Sequence, residues 1–326
     1  MRTGRATFAI GFCLVCTPLS AVSPVEQSIT VPGFADFLTV DGDTVWLTNK
    51  GRVERWSRKG KLAEVAMSGP CGTMAIEAGS LWVANCKDGT LHRIDLRTAT
   101  TTAVVATGVA APDGEMNVVA GAGSVWLASE AKGVIARVDP GRNRVIGSIT
   151  VDPGSNYLAF GFGSLWAVSG ARDTIQQIDP DTNAVVRRTP LGRQPGFLAA
   201  GAGGVWVQEQ GEGTVVRIDP DTGEATGRIK VDETLKYGDI DTGGGMVWLR
   251  TTARQTFVII DPTLLVICDR VGAEAGSGAL RYTLGGVWTT AHDLQTLTWW
   301  SDPSWMRRAQ NRLVPGRSKC SRGGKE

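Results

Sequence analysis

The chain has 326 residues, of which 42% are hydrophobic, 20% are charged and 42 are glycines. This apolar fraction is too high for a disordered chain, and the glycines lack the every-third-residue period of collagen. The 34 basic and 32 acidic residues leave a net charge of +2, so no basic excess favours a nucleic-acid partner. Only two histidines are present, which limits histidine-based catalysis and histidine-rich metal sites.

Residues 1–23 have the pattern of a secretory signal peptide. Two arginines precede an apolar run at 6–16 that is too short to span a bilayer. We expect cleavage between Ala21 and Pro24, so that the mature protein is periplasmic or secreted. A retained membrane anchor and a lipid-modified Cys16 are the alternatives. No later apolar run approaches the roughly 18 residues that a membrane span needs.

Four cysteines follow this segment, and export permits disulfides. Cys71 and Cys86 flank a predicted hairpin with its turn at 78–79. In an antiparallel pair centred there, opposing residue numbers sum to 157, which predicts that the two thiols lie directly across from each other and form a bridge. Cys268 and Cys320 remain as a second predicted pair that ties the C-terminal tail to the body. None of these four cysteines has the C-x-x-C spacing that would favour a metal site instead.

A sevenfold repeat fills the rest of the chain and decides the predicted fold. A tryptophan after glycine and small apolar residues recurs at spacings of 36, 44, 40, 40, 42 and 40 residues, as Trp46, Trp82, Trp126, Trp166, Trp206, Trp248 and Trp288. An aspartate lies 13 residues after five of them, as Asp95, Asp139, Asp179, Asp219 and Asp261. Proline follows four of these aspartates, which is typical of tight turns.

Each repeat unit predicts four short strands. Around Trp206 the predicted strands are 196–200, 205–208, 214–218 and 225–231. Four strands in about 40 residues is the spacing of a propeller blade. A stacked β-solenoid is the alternative, but its repeats are usually shorter. The prediction is therefore an all-β fold, a seven-bladed β-propeller of four-stranded antiparallel blades over residues 24–302.

Ring closure is predicted to use the mature N-terminus. Val31 lies 15 residues before Trp46, and Val151, at the end of a predicted fourth strand, lies 15 residues before Trp166. Residues 28–31 therefore have the position of a fourth strand, yet no earlier blade exists to which they could belong. The last unit lacks a fourth strand, so residues 25–31 are expected to complete it and to remove the exposed edges of an open array. The tail at 303–326, with seven basic residues and one acid, is expected to extend into solvent.

The repeat resembles the YVTN-type and streptogramin (virginiamycin B) lyase-like seven-bladed β-propeller superfamily. The likeness lies in the pattern G-x-G-[SG]-[LV]-W-[LVA] followed by [RQ]-[IV]-D-P-x-T, seen best at 161–182 and 201–222. The resemblance implies that the lyases open a cyclic ester by elimination, with a histidine, a glutamate and a magnesium ion in the site. The histidine position, eleven residues before each tryptophan, holds no histidine here. The glutamate position holds only Glu209, and its own repeat has Pro195 at the histidine position. Proline cannot act as a general base, so this lyase chemistry is expected to be absent.

The starts of the inner strands and the loops between second and third strands are expected to open on one face, around the central channel. Oxygen donors there suit Ca²⁺ or Mg²⁺, and gluconolactonase-like propellers, by resemblance, hold an ion with a similar set. The predicted metal ligands are Glu115, Asn117, Asn156 and Asp239. The predicted ligand-binding residues are Asp36, Tyr237, Arg172 and Arg254. The catalytic candidates are Glu209 and His292, the latter beside a possible orienting carboxylate, Asp293.

These patterns favour an exported, monomeric binding or interaction module whose channel mouth takes a small molecule, a peptide or a glycan. The alternative is a divalent-metal-dependent lyase or lactone hydrolase with its site at the central channel. Whether the protein is an enzyme stays open at this point. Neither nucleic acid nor a transmembrane segment is expected, and no cofactor other than Ca²⁺ or Mg²⁺ is indicated.

Overall fold

The computed structural model describes residues 26–111, 114–129, 133–235, 238–251, 254–283 and 285–301. The predicted signal peptide and the basic tail lie outside these residues, so both domain boundaries stay predictions. Within the described ranges no helix is long and apolar enough to cross a membrane.

The described strands form seven antiparallel sheets of four strands each. Blade 1 consists of β2 (Leu38–Asp41), β3 (Thr44–Asn49), β4 (Arg52–Ser57) and β5 (Gly60–Ala66). Blade 2 consists of β6 (Pro70–Glu77), β7 (Ser80–Asn85), β8 (Thr90–Asp95) and β9 (Thr100–Ala106). Blade 3 consists of β10 (Met116–Gly121), β11 (Ser124–Ser129), β12 (Val134–Asp139) and β13 (Arg144–Thr150). Blade 4 consists of β14 (Ser155–Gly161), β15 (Ser164–Ser169), β16 (Thr174–Asp179) and β17 (Ala184–Pro190).

The remaining blades complete the ring and confirm the predicted seven-bladed propeller. Blade 5 consists of β18 (Pro195–Gly201), β19 (Gly204–Glu209), β20 (Thr214–Ile218) and β21 (Ala225–Lys230), with a short 3₁₀ helix, Gln210–Glu212, after β19. Blade 6 consists of β22 (Ile240–Gly243), β23 (Met246–Arg250), β24 (Phe257–Asp261) and β25 (Val266–Val271). Blade 7 consists of β26 (Leu280–Thr283), β27 (Gly286–Ala291), β28 (Thr296–Ser301) and β1 (Glu26–Thr30).

Blade 7 is closed by the N-terminal strand, as predicted. β1 pairs antiparallel with β28, and Ile29 lies opposite Leu297. The ladder continues past the strand, because the Val31 amide donates to the Gln295 carbonyl at 2.8 Å. Val31 is fully buried, so apolar packing as well as backbone pairing holds the first and last segments together.

The seven repeated tryptophans are buried at the centre of the second strands, with at most 1% exposed. Trp82 packs in one cluster with Val118 and Val125 of the next blade. Its indole N–H donates to the Glu77 carbonyl at 3.2 Å, which satisfies the polar end of a buried ring. Each such ring contributes at least the roughly 1.5–3 kcal/mol expected for a large apolar side chain, so the repeat places the main packing energy between blades.

Cys71 and Cys86 form the predicted disulfide, with their Cα atoms 5.9 Å apart. The predicted register at this bridge was wrong. Ala75 pairs with Trp82, in the predicted register, but Cys71 pairs with Ala84 instead of Cys86.

The cause of this shift is an irregularity between Cys71 and Ala75. Gly72 has φ +66°, and a Cβ there would lie 1.8 Å from the Met116 carbonyl oxygen of the next blade. Close approach of blade 3 therefore demands glycine and a bulge, which changes the local pairing. The second predicted pair cannot be compared, since Cys268 lies in β25 but Cys320 lies outside the described residues.

Candidate functional site

The mouth face of the propeller, defined by the loops that join second to third strands and one blade to the next, carries a groove of about 400 Å³ over blades 1 and 2. Phe34 and Phe37 form part of its wall, and Asp36 and Glu115 supply carboxyl groups. Cys71 lines the same groove, so the disulfide shapes it. We call this cavity the mouth groove.

Asp36 is the electrostatic centre of the mouth groove. Its main chain is held by blades 1 and 7, since its amide donates to Thr48 at 3.0 Å and its carbonyl accepts from the Thr290 hydroxyl. Burial, together with the carboxylates Glu115, Asp239 and Asp293, raises the pKa of Asp36 to about 7. Every charge that shifts this pKa is negative, so a positive charge brought into the groove would stabilise the ionised form.

His292 borders the same face and stacks on Phe34, with ring centroids 4.0 Å apart and planes at 21°. Its Nδ1 lies 2.5 Å from Asp293 Oδ1. The orientation is nevertheless wrong for a hydrogen bond, and among the described residues this nitrogen has no hydrogen-bond partner. The predicted base and orienting carboxylate are therefore close together but not aligned as a catalytic pair.

Glu209, the other catalytic candidate, is fully buried, and both of its carboxylate oxygens already accept hydrogen bonds. Arg228 donates to both of its oxygens, at 3.1 and 3.2 Å, and the Thr214 hydroxyl donates at 2.6 Å. The Gly192 amide adds a bond at 2.7 Å. Burial alone raises the pKa of Glu209, but these hydrogen bonds and the Arg228 charge lower it overall. Glu209 is thus a fixed carboxylate that joins β20 and β21 to the connection before β18.

The four predicted metal ligands are divided between different cavities. Glu115 and Asn156 line a second groove on the mouth face, of about 440 Å³. Asn117 and Asp239 instead line a cavity of about 320 Å³ inside the channel, which we call the channel cavity. Asp239 is also ion-paired with Arg281, and a carboxylate neutralised in this way is a poor ligand for a cation.

Three aromatic rings lie between the mouth and the channel cavity. Phe197 lies 6.1 Å from Phe37 across the channel and 4.4 Å from Tyr157, measured between ring centroids.

Among the described residues no group of three or more His, Cys, Asp and Glu side chains is arranged to hold a metal ion. The calcium or magnesium site stays a prediction without support from this geometry.

The remaining predicted ligand-binding residues do not converge on the mouth groove. Arg172 is exposed in the loop after β15. Arg254 is also exposed and pairs with Asp232 at 3.0 Å, a surface contact that contributes little. Tyr237 lies outside the described residues. Of the predicted set, Asp36 and Glu115 therefore share the mouth groove.

The sequence analysis did not predict a role for Arg250, a buried cation near the mouth. It is 1% exposed and donates to the carbonyls of Thr251 and Thr256, at 3.0 and 2.9 Å. It also donates to Gly276 and Thr290 of blade 7. Burial lowers the pKa of Arg250 to about 10. No repeat pattern in the sequence points to Arg250. The three aromatic rings of the channel, in contrast, do recur, since Phe37, Tyr157 and Phe197 each lie nine residues before the tryptophan of their blade.

Comparison with known proteins identifies the fold. No family model and no curated protein matches the chain. Virginiamycin B lyase from Staphylococcus aureus superposes with a TM-score of 0.72 at 15% identity, covering 86% of this chain and 100% of that chain. Its catalytically inactive variant with quinupristin superposes equally at 14% identity, with the same coverage. The WD40 domain of Neurospora crassa Pan2 superposes with a TM-score of 0.71 at 10% identity, covering 87% of this chain and 97% of that domain. At these identities the likeness shows the propeller fold alone.

Proposed function

We propose that this propeller is an exported binding module whose mouth groove takes a ligand with a positive charge beside an apolar group. The carrying observation is the half-buried Asp36 carboxyl in the groove wall, whose pKa is raised by burial and by three other carboxylates and is lowered by no cation. A ligand ammonium or guanidinium group replaces the missing countercharge. The aromatic rings of Phe34 and Phe37 line the same groove and supply contact area and cation–π attraction.

Binding explains this face better than catalysis does. The His292–Asp293 pair is not hydrogen-bonded, and Glu209 is held by Arg228. A propeller of the same fold has been solved with quinupristin, which supports the capacity of such a scaffold to hold a small molecule. The Cys71–Cys86 disulfide supports an oxidising compartment, as the predicted export requires.

The test is a calorimetric titration at pH 8 with three related probes: phenethylammonium, 2-phenylethanol and 3-phenylpropionate. We expect measurable binding of the ammonium probe only, with at least tenfold weaker binding to Asp36→Asn. Asp221→Asn, which changes an exposed carboxylate in a turn on the opposite face, is the matched control. Equal binding of the alcohol and the ammonium, or unchanged binding to Asp36→Asn, would contradict the proposal.

A further inference from the structure

The channel cavity is a separate space from the mouth groove. It runs along the inner strands from the level of Asn117 and Tyr157 to that of Phe160 and Ala200, beside the turns that join first to second strands. Its volume of about 320 Å³ is that of a small-molecule site. Nothing in the function proposed for the mouth uses it.

One wall of the channel cavity is charged. Asp239, Asp241 and Arg281 all line it, and Arg281 pairs with Asp239. Two carboxylates against one guanidinium leave a net charge of −1 when both acids are ionised. Asp241 gains no ion pair of its own among the described residues, since its oxygens accept from the amides of Thr242 and Tyr282, at 2.8 and 2.7 Å. The site therefore favours one additional positive charge.

The same cavity also holds a buried donor without an acceptor. Asn117 is 1% exposed, and within the described residues its Nδ2 has no hydrogen-bond partner. Arg281 uses Nη1 alone in the hydrogen bonds seen in this part of the chain, toward Asp239 and its own neighbour Leu280. An unpaired buried donor raises the free energy of the folded protein. An acceptor oxygen that enters the cavity would recover that free energy.

Another part of the cavity wall is apolar. Val119, Ala159 and Ala199 line it together with Phe197. Both alanines lie seven residues before the tryptophan of their blade, the position that Asp241 and Arg281 occupy in blades 6 and 7. Small side chains at that level leave space beside the charged wall. A ligand here needs a polar end and a short apolar side chain.

We propose that the channel cavity binds a small aminoacyl compound, in which an ammonium group stands next to a neutral carbonyl. The ammonium balances the charge of Asp239, Asp241 and Arg281. The carbonyl oxygen accepts from the unpaired Asn117 Nδ2, beside the Arg281 guanidinium, and the side chain of the ligand packs on Ala159 and Ala199. A free amino acid fits less well, because its carboxylate restores the negative excess.

The test compares L-alaninamide with three relatives by NMR titration at pH 7.0, where the ammonium of the amide is largely charged. N-acetyl-L-alaninamide lacks the ammonium, propylamine lacks the carbonyl, and L-alanine adds a carboxylate. We expect L-alaninamide to bind at least tenfold more tightly than each of these. Binding should also weaken as the pH falls through about 6, since burial raises the pKa of Asp241 to about 6.

Two variants assign the binding to this cavity. Asn117→Leu removes the unpaired donor and keeps the branching and the number of heavy atoms, and it should weaken L-alaninamide binding at least fivefold without lowering thermal stability. Asp241→Asn removes a charge and should weaken it further, and it serves if Asn117→Leu does not fold. Asp36→Asn at the mouth, whose charge acts on Asp239, should weaken this binding far less than Asp241→Asn does, so failure of the mouth proposal is told apart from failure here. Equal binding of the acetylated probe, or loss of binding only in Asp36→Asn, would overturn the inference.

Discussion

Arg93 in blade 2 donates to the Pro140 carbonyl in blade 3, at 2.8 Å. Its guanidinium also lies 5.4 Å from the ring centroid of Trp82, the buried tryptophan of its own blade. Arg137 repeats the arrangement one blade further on, over Trp126 and toward Pro180. An arginine on the third strand thus joins the packed ring of one blade to the Asp-Pro turn of the next.

The first prediction follows from this contact. Arg93→Ala should lower the free energy of unfolding by about 2 kcal/mol, because a charged hydrogen bond and a cation–π contact are both lost. Gln177 makes the corresponding contact with Pro220 at 3.2 Å, so Arg93→Gln should retain part of the stability. Urea denaturation measures both variants. Arg97→Ala changes an exposed arginine and serves as control; an equal loss in that variant would refute the inter-blade role.

The second prediction concerns the disulfide. Cys71→Ala with Cys86→Ala should lower stability by about 3 kcal/mol, the loop-closure value for a bridge that spans so short a segment. Phenethylammonium binding should weaken as well, because Cys71 lines the mouth groove. Thermal melts with and without reductant provide the check. The wild type should respond to reductant much more than the double variant, and identical responses would exclude a stabilising bridge at this position.

The third prediction concerns the pH dependence of stability. Because the pKa of Asp36 is raised to about 7 by burial and by neighbouring carboxylates, the folded protein holds a proton that the unfolded chain releases above about pH 4. Stability from this group therefore falls as the pH rises from about 4 to 7. Asp36→Asn should remove that slope and gain on the order of 4 kcal/mol at pH 8. Denaturation curves at pH 5 and pH 8 decide it: parallel profiles for wild type and variant would show that Asp36 ionises normally.

The fourth prediction concerns Arg250. Its substitution by methionine should cost about 2–4 kcal/mol, because the buried carbonyls of blades 6 and 7 that it joins lose their donor. Arg254→Met is the matched control, since Arg254 is exposed and its ion pair with Asp232 lies at the surface. Guanidinium unfolding midpoints should differ clearly between the two variants. A similar small change in both would mean that water replaces the Arg250 donor without loss.

Local pattern was enough to predict the blades. Tryptophan spacing, alternating strands and Asp-Pro turns are properties of short segments, and the four strands around Trp206 agree with the prediction within two residues at each end. The Asp219 carboxylate shows why, since it accepts from the amides of Asp221 and Thr222 and closes its own turn. Even closure of the ring by Ile29 followed from counting strands.

The functional side chains depended on contacts between distant repeats. Asn117 and Asp239 look equivalent to Glu115 and Asn156 in sequence, yet a shift of one or two residues along an inner strand moves a side chain from the mouth to the channel cavity. The bulge that displaced Cys71 arises because the backbone of blade 3 approaches Gly72. Arg281 reaches Asp239 only because two blades meet. Such pairings are set by the curvature of the closed ring, which brings together residues about 40 positions apart, and no local propensity specifies them.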